Sequence, residues 1–387
     1  MVRMPGSGKL LGNVAGVFRG ADFRLHRARG QGMLPTFLIY QVTRKCNSKC
    51  SFCSIWKQDH SNELTVEELR KLFSDPFFSE IRWINLTGGE PFIRKDLAEV
   101  ARVMHEELPS LLMIAIPTNG FGTSSVLKGT KELLEVLKGQ EMLSVNVSID
   151  GIGEAHETSR GVPGCFNRAM ATLKGLLELA KENKRLEVGT EVVITSANID
   201  DLKDIYEYLA KYTNHINFTP VIVAPSEYYG KPDKDLGLSD KDIAKMQDFF
   251  DWLKVKLPAY AYYFEKVLDI KLKKRGGKRT FPCLGGYKTM FMDSKGEIYP
   301  CLIAPSHLRL GSVRETPPGE IWFSDNANLM RRALKKWKYC QVCTNNCDIL
   351  NNLKEETIDL LWFMAKNPRI FAALLKDLRA GKMDKYL

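Results

Sequence analysis

The sequence predicts an α/β protein: a partial (β/α)6 barrel followed by a small C-terminal β-hairpin-plus-helix unit. Three observations carry this. Short runs rich in Ile, Val and Leu alternate with helical stretches between residues 37 and 222. The runs are continuously apolar, as strands covered on both faces require. Six strand–helix units are too few to close an eightfold barrel, so the sheet stays open and its ligands belong at the carboxyl ends of the strands.

The elements follow in order. Residues 1–36 form a lead-in with six basic residues (Arg3, Lys9, Arg19, Arg24, Arg27, Arg29) against one acid, Asp22. Phe37–Thr43 is a β-rich run, and a cysteine-bearing loop follows it. Thr65-Val-Glu-Glu approaches a capping box and opens the first barrel helix. Strands are expected at Ile81–Leu86, Leu112–Pro117, Leu143–Ile149, Leu186–Ile194 and His215–Val221. The helices between them are expected at Lys95–Glu107, Ser125–Gly139, Asn167–Lys181 and Ile199–Lys211. Residues 223–280 read as a connecting segment with a helix over Ser239–Lys256. Residues 281–350 form a second cysteine-bearing unit. Residues 351–387 carry amphipathic helices, broken at Asn367-Pro368.

The composition sets bounds. The chain has 387 residues, 56 Lys+Arg against 46 Asp+Glu, a formal charge of +10 and nine cysteines. No apolar run reaches the ~20 residues of a membrane-spanning helix, and the N-terminus lacks a signal-peptide pattern. A cytoplasmic, reducing location is therefore expected, where cysteines serve metals more often than disulfides.

Eight of the nine cysteines fall in two groups. In the first, Cys46-Asn-Ser-Lys-Cys50-Ser-Phe-Cys53, three thiols follow the first strand within eight residues. Three thiolates on one loop can hold a cubane and leave one iron without a protein ligand. The competing reading is structural zinc, which would need a fourth ligand such as His60. At the end of the second strand stands Thr87-Gly88-Gly89-Glu90-Pro91, where two glycines permit close approach of backbone to a ligand.

Over residues 37–222 the cysteine loop, the Gly-Gly-Glu turn and the six βα units together resemble the radical S-adenosylmethionine (SAM) superfamily. The resemblance implies that Cys46, Cys50 and Cys53 ligate a [4Fe–4S] cluster whose fourth iron is chelated by SAM. It places Gly88, Gly89 and Glu90 along the methionine amino group and Phe52 near the adenine. Asn119, Ser148 and Arg160, at or after the ends of the third and fourth strands, would contact SAM; for each the plain alternative is a turn or helix cap. Reductive cleavage of SAM to a 5′-deoxyadenosyl radical is the implied chemistry.

Cys283 and Cys301 flank a hairpin with its turn at Asp293–Gly296, and Cys340, Cys343 and Cys347 follow. This arrangement resembles the SPASM/twitch extension of the same superfamily. It implies one auxiliary [4Fe–4S] cluster on Cys283, Cys301, Cys340 and Cys343, with Cys347 able to replace one of them. A zinc ribbon is the alternative. Cys165 is expected to be a small buried residue.

Basic residues cluster in 1–36, in Lys266–Arg279 and in Arg331–Lys338. Solvated surface is the plain reading; an acidic electron donor such as a flavodoxin or ferredoxin is the functional one. Apolar residues at helical spacing among basic ones (Leu10, Leu11, Val14, Val17, Phe18; Ile358, Leu361, Trp362) raise peripheral contact with the inner face of a membrane as an alternative to packing on the protein. Nucleic acid is not expected as a partner. The function expected is hydrogen abstraction from an unactivated C–H bond of a lipid-like or small-molecule substrate. A ribosomally made peptide is the alternative substrate, and a zinc-stabilised nucleic-acid-binding protein the alternative of another class.

Overall fold

The computed structural model describes residues 22–222, 237–272, 282–304, 306–334, 336–341, 343–344 and 357–379, with Gly20 and Arg279. The strands are β1 (Phe37–Thr43), β2 (Trp83–Gly88), β3 (Met113–Thr118), β4 (Met142–Ser148), β5 (Leu186–Ile194) and β6 (Ile216–Pro220). They pair in parallel, each with the next. Between them run α1 (Val66–Phe73), α2 (Leu97–Glu107), α3 (Thr123–Val136), α4 (Glu154–Arg160), α5 (Cys165–Glu182) and α6 (Leu202–Leu209). The sheet does not close, as a partial barrel requires.

The pleat sorts the side chains. On one face Ile84, Leu86, Ile114, Ile116, Leu143, Val145 and Val147 are essentially inaccessible. Their neighbours Asn85, Ala115, Ser144 and Asn146, pointing the other way, are half-buried. Each buried aliphatic side chain contributes about 1.5–3 kcal/mol. A one-residue slip would turn that whole set outward, so the register is fixed.

Local signals hold where the sequence places them. Thr65 caps α1 through a full capping box: its Oγ1 accepts from Glu68 N (3.2 Å), and Glu68 Oε2 accepts from Thr65 N (2.8 Å). The hairpin turns at Asp293–Gly296, with Gly296 at φ +87°. Asp293 Oδ1 accepts from the backbone N–H of Lys295 and of Glu297, both at 2.9 Å.

The hairpin extends the main sheet. Its first strand, β7 (Thr289–Met292), pairs in parallel with β1, and β8 (Glu297–Tyr299) and β9 (Gly311–Ser312) follow antiparallel. The order is β6-β5-β4-β3-β2-β1-β7-β8-β9, so β1 is flanked on both sides and all seven of its residues are buried. One compact unit comprises residues 34–237 and 285–330; the other comprises 1–33, 238–284 and 331–387. In the second, helices Asp240–Lys256 and Ala261–Lys271 pack through Phe250 and Phe264, stacked at 4.7 Å. At the C-terminus Thr357–Lys366 and Pro368–Arg379 are helices separated at Asn367.

Candidate active site at the carboxyl ends of the strands

The cysteine loop leaves the end of β1 and is fastened to the C-terminus of α4. Lys49 N donates to Arg160 O (3.0 Å), Ser51 N donates to Ser159 O (2.9 Å), and Ser48 Oγ donates to Arg160 O (3.1 Å). Gly161, at φ +65°, follows at once; a β-carbon there would press on Lys49 O. Cys50 is buried, whereas Cys46 and Cys53 are half-buried. Cys50 Sγ lies 3.0 Å from Ser48 Oγ and receives Arg160 Nη1 at 3.6 Å. Ser48 N donates to Cys46 Sγ at 3.4 Å.

Arg160 belongs to a helix, although its segment reads as a loop in the sequence. Gly153 precedes α4 at φ +59° with no side-chain cap, and seven residues show little period, so the helix is invisible to pattern. The guanidinium is buried and faces Asp150: Nη2 donates to Oδ1 at 2.9 Å, and Nε lies 2.8 Å from Oδ2. Burial opposes its charge, and Asp150 and Cys50 outweigh burial, so Arg160 is held more firmly protonated than usual. Asp150 also accepts from Ser159 Oγ (3.0 Å) and Val193 N (3.0 Å). The ring of Phe52 lies 5.4 Å from the guanidinium carbon.

Gly88 and Gly89 make a close approach, but their β-carbon sides face the cysteine loop. A β-carbon on Gly88 would collide with Thr43 O, and one on Gly89 with Lys45 O. Gly89 N donates to Thr43 O (2.7 Å) and Glu90 N to Lys45 O (2.8 Å). The Glu90 carboxylate is buried and accepts from Thr118 Oγ1 (2.8 Å) and Asn119 N (2.7 Å). Burial pushes its pKa up to about 7 against those donors. Asn119 Nδ2 donates to Asn47 Oδ1 at 2.6 Å, inside the cysteine loop. Glu90 and Asn119 thus tie the ends of β2 and β3 to that loop. A cavity of about 490 Å³ opens beside Asn47 and Glu90, toward Ser125 and Lys128. Ser148, at the end of β4, is half-buried opposite Glu191 of β5.

The donor set fits an iron–sulfur cluster. The three thiols sit on one anchored loop, and Cys50 Sγ accepts from the Arg160 guanidinium, the kind of hydrogen bond that a cluster thiolate receives. Burial pushes the Cys46 thiol up to about 12, so it becomes a thiolate by binding metal. His60, which a zinc site would call on, is exposed, and among the described residues no three His, Cys, Asp or Glu side chains converge on a single ion.

Two family models match the chain: the radical SAM superfamily over residues 40–209, and the SPASM iron–sulfur cluster-binding domain over residues 283–348. This is a radical SAM protein with a SPASM domain. It is 28% identical over 316 residues to an AdoMet-dependent heme synthase of Methanosarcina barkeri, covering 77% of this chain and 84% of that one. It is 24% identical to a pre-heme d1 synthase of Dinoroseobacter shibae, covering 90% and 89%. Its fold is similar to solved structures of anSMEcpe with bound AdoMet (TM-score 0.58, 19% identity, covering 88% and 98%). It is also similar to Streptococcus suis SuiB bound to S-adenosylmethionine (TM-score 0.57, 14% identity, covering 84% and 76%). The cofactors of this radical SAM protein are accordingly [4Fe–4S] clusters and SAM.

The SPASM cysteines fall in both compact units. In the unit that holds the sheet, Cys301 is buried two residues after β8. In the other, Cys283 and Cys340 are half-buried and Cys343 is buried. There Arg279 N donates to Gln341 O (3.0 Å), which sets the segment entering Cys283 beside the Cys340–Cys343 hook. Lys271, half-buried, has Cys343 in electrostatic range. Cys347 lies outside the described residues, as do the apolar positions Leu10 to Phe18 and residues 273–278 of the Lys266–Arg279 basic cluster. Cys165 is fully buried in α5, and burial pushes its thiol up to about 11, as a bystander would show.

Sequence reasoning passed over two residues that build this site. Glu63 Oε1 accepts from Thr43 Oγ1 (3.0 Å) and Arg44 N (2.7 Å), bracing the start of the cysteine loop. Asp150 holds Arg160; the ten-residue spacing of an acid and a base around a short helix was the signal available.

Proposed function

We propose that this protein is an oxidoreductase-type radical SAM enzyme acting on a small molecule of the tetrapyrrole class. The observation that carries the substrate class is the similarity to the heme synthase, which extends over 84% of that enzyme's length and so beyond the radical SAM domain alone. The pre-heme d1 synthase supports it across nearly the whole chain. A peptide substrate is the second reading, favoured by 22% identity over 283 residues to a subtilosin biosynthesis protein of Bacillus subtilis.

Cys46, Cys50 and Cys53 are the proposed ligands of the SAM-binding cluster. Cys283, Cys301, Cys340 and Cys343 are those of the auxiliary one. When bound, cluster and SAM supply a 5′-deoxyadenosyl radical that takes hydrogen from a substrate C–H bond. The chain's own residues prepare the place. Arg160 holds Cys50 and stabilises sulfur charge, and Ser48 ties the loop to the Arg160 carbonyl. Glu90, beside the loop, is suited to accept a hydrogen bond from the methionine amino group, and Asn119 and Ser148 line the adjoining strand ends. The packed helices exclude water from the outer face of the sheet. A low-potential flavodoxin or ferredoxin is the proposed electron donor.

Anaerobic reconstitution followed by SAM and dithionite tests this. The expected product is 5′-deoxyadenosine, formed faster with an iron-coproporphyrin added than without. Intact clusters that release none would end the enzyme reading. Release stimulated by a peptide and indifferent to porphyrin would replace the tetrapyrrole.

A further inference from the structure

The segment from Arg44 to Glu63 carries all three thiols of the first cysteine group, and its two ends meet. Glu63 Oε1 joins them by accepting from Thr43 Oγ1 and Arg44 N. The hairpin turn after β7 closes over this neck on both sides. On the leading side Asp293 Oδ2 takes Arg44 Nη2 at 2.5 Å, and Gln41 Oε1 takes Arg44 Nε at 3.1 Å. On the trailing side Leu64 N donates to Ser294 O at 2.7 Å. Gly296 ends the turn against Leu64, where a β-carbon would lie 3.3 Å from Leu64 Cδ2. All of these residues belong to the compact unit that holds the sheet.

The contact is sealed from water. Gln41, Asp293 and Ser294 are fully buried, and Leu64 is nearly so. Lys295 to Asp59 (2.6 Å) and Arg314 to Asn62 O (3.0 Å) surround it at the exposed rim, where such pairs contribute little. The buried part therefore does the holding. Within it one carboxylate serves two ends: Asp293 Oδ1 caps the hairpin turn through Lys295 N and Glu297 N, and Oδ2 holds Arg44. Arg44 and Ser48 are the two fixed points around Cys46, which lies two residues from each. Ser48 is fastened to α4, and Arg44 to a turn 249 residues further along the chain. The same hairpin leads through β8 to Cys301.

We propose that Asp293 is a positioning residue for the SAM-binding cluster: acting through Arg44, it clasps the neck of the cysteine segment and keeps Cys46 presented beside Cys50 and Cys53. The hairpin that carries an auxiliary ligand is thereby a component of the first site as well. This rests on the assignment of Cys46, Cys50 and Cys53 as ligands above, and adds a residue that contacts none of them.

The test compares three variants of the full-length protein with the wild type. In Asp293→Asn the amide has one acceptor oxygen, which cannot serve the turn and Arg44 together. Two turn N–H groups hold that oxygen, so Arg44 is released. Because this leaves the Arg44 charge buried without its partner, a second variant, Arg44→Met with Asp293→Asn, removes the charge as well and recovers stability. Ile298→Ala, in β8, loosens the hairpin core by side-chain volume alone. After reconstitution and reduction, the EPR signal that changes on adding SAM reports the first cluster. Both clasp variants should lose it at about tenfold less iron chelator than the wild type. In the metal-free chain, trypsin should cut after Lys45 faster in both than in the wild type, and after Lys49, whose N–H is held by α4, at an unchanged rate. Ile298→Ala should match the wild type in both measurements, whatever its melting temperature. Clasp variants that melt early yet keep the signal and the trypsin pattern would overturn the proposal. So would a double variant recovered in both melting temperature and chelator resistance, or an Ile298→Ala variant that loses the signal as readily. A wild-type protein with no SAM-dependent signal would remove the ligand assignment and this proposal with it.

Discussion

His156 shows what one buried side chain contributes. It is fully enclosed, and its Nδ1 accepts from Asp150 N at 3.1 Å, so the proton sits on Nε2. Burial, reinforced by Arg160, lowers its pKa from 6.5 to about 4. A group with a lowered folded pKa gives its full stability above 6.5 and loses it as pH falls toward 4. At about 1.4 kcal/mol per unit the acid-side loss is roughly 3 kcal/mol. His156→Gln should flatten that limb in thermal melts recorded across the range. Arg160 gives a second prediction. Its hydrogen bond to Cys50 favours the more negative, reduced state of a bound cluster. Arg160→Leu should therefore lower the midpoint potential in an EPR-monitored titration; an unchanged potential with full iron content would show that the contact is only structural. Glu90→Ala would leave Asn119 N and Thr118 Oγ1 without their acceptor, an expected cost of about 1–3 kcal/mol, read in the melting temperature of the unloaded protein.

Among the elements, the β2–loop junction is the least tolerant. Gly88 stands at φ +139° with Thr43 O where a β-carbon would be placed, so Gly88→Ala must displace backbone rather than a flexible side chain. Several kcal/mol of destabilisation is expected, visible as loss of soluble protein. The hairpin offers a contrast. Arg44 Nη2 meets Asp293 Oδ2 at 2.5 Å, joining the cysteine loop to the turn after β7, with Asp293 wholly buried. Arg44→Ala strands that carboxylate and should cost about 3–5 kcal/mol; differential scanning calorimetry decides it. Elements with strong periodicity were legible in the sequence. The six parallel strands fall where the apolar runs are, shifted by a residue or two at the ends, and the Thr65 cap is written in its own four residues. α4 was not legible, because Gly153 begins it without a cap and most of its residues are polar. The attachment of β7 to β1 was not legible either, because strand pairing between residues some 250 apart leaves no local mark.

For the molecule as a whole, the division of cysteines matters more than their number. Replacing Cys46, Cys50 and Cys53 with Ala should reduce reconstituted iron to about half and abolish SAM cleavage; iron unchanged would place the SAM cluster elsewhere. The candidate thiols were readable because their spacing is local. What positions them was not, because Asp150, Glu63 and Asn119 act through folded neighbours. The positive charge belongs to the unit of residues 1–33, 238–284 and 331–387, whereas the unit of 34–237 and 285–330 carries more acids than bases; a flavodoxin titration that weakens steeply with salt would connect the basic unit to electron delivery. No helix among the described residues is long and apolar enough to cross a membrane.

The fastening of the cysteine loop to α4 has a consequence for the life of the protein. Two of its hydrogen bonds run between backbone atoms and a third joins the Ser48 hydroxyl to the Arg160 carbonyl. The anchorage is expected to separate maturation from folding, with iron and sulfide delivered to a loop already fastened. The same separation makes oxidative damage repairable, since a molecule stripped of its cluster by oxygen keeps the seat into which a new one is built. Chelated protein should melt as one cooperative species and regain its iron content through repeated rounds of stripping and reconstitution.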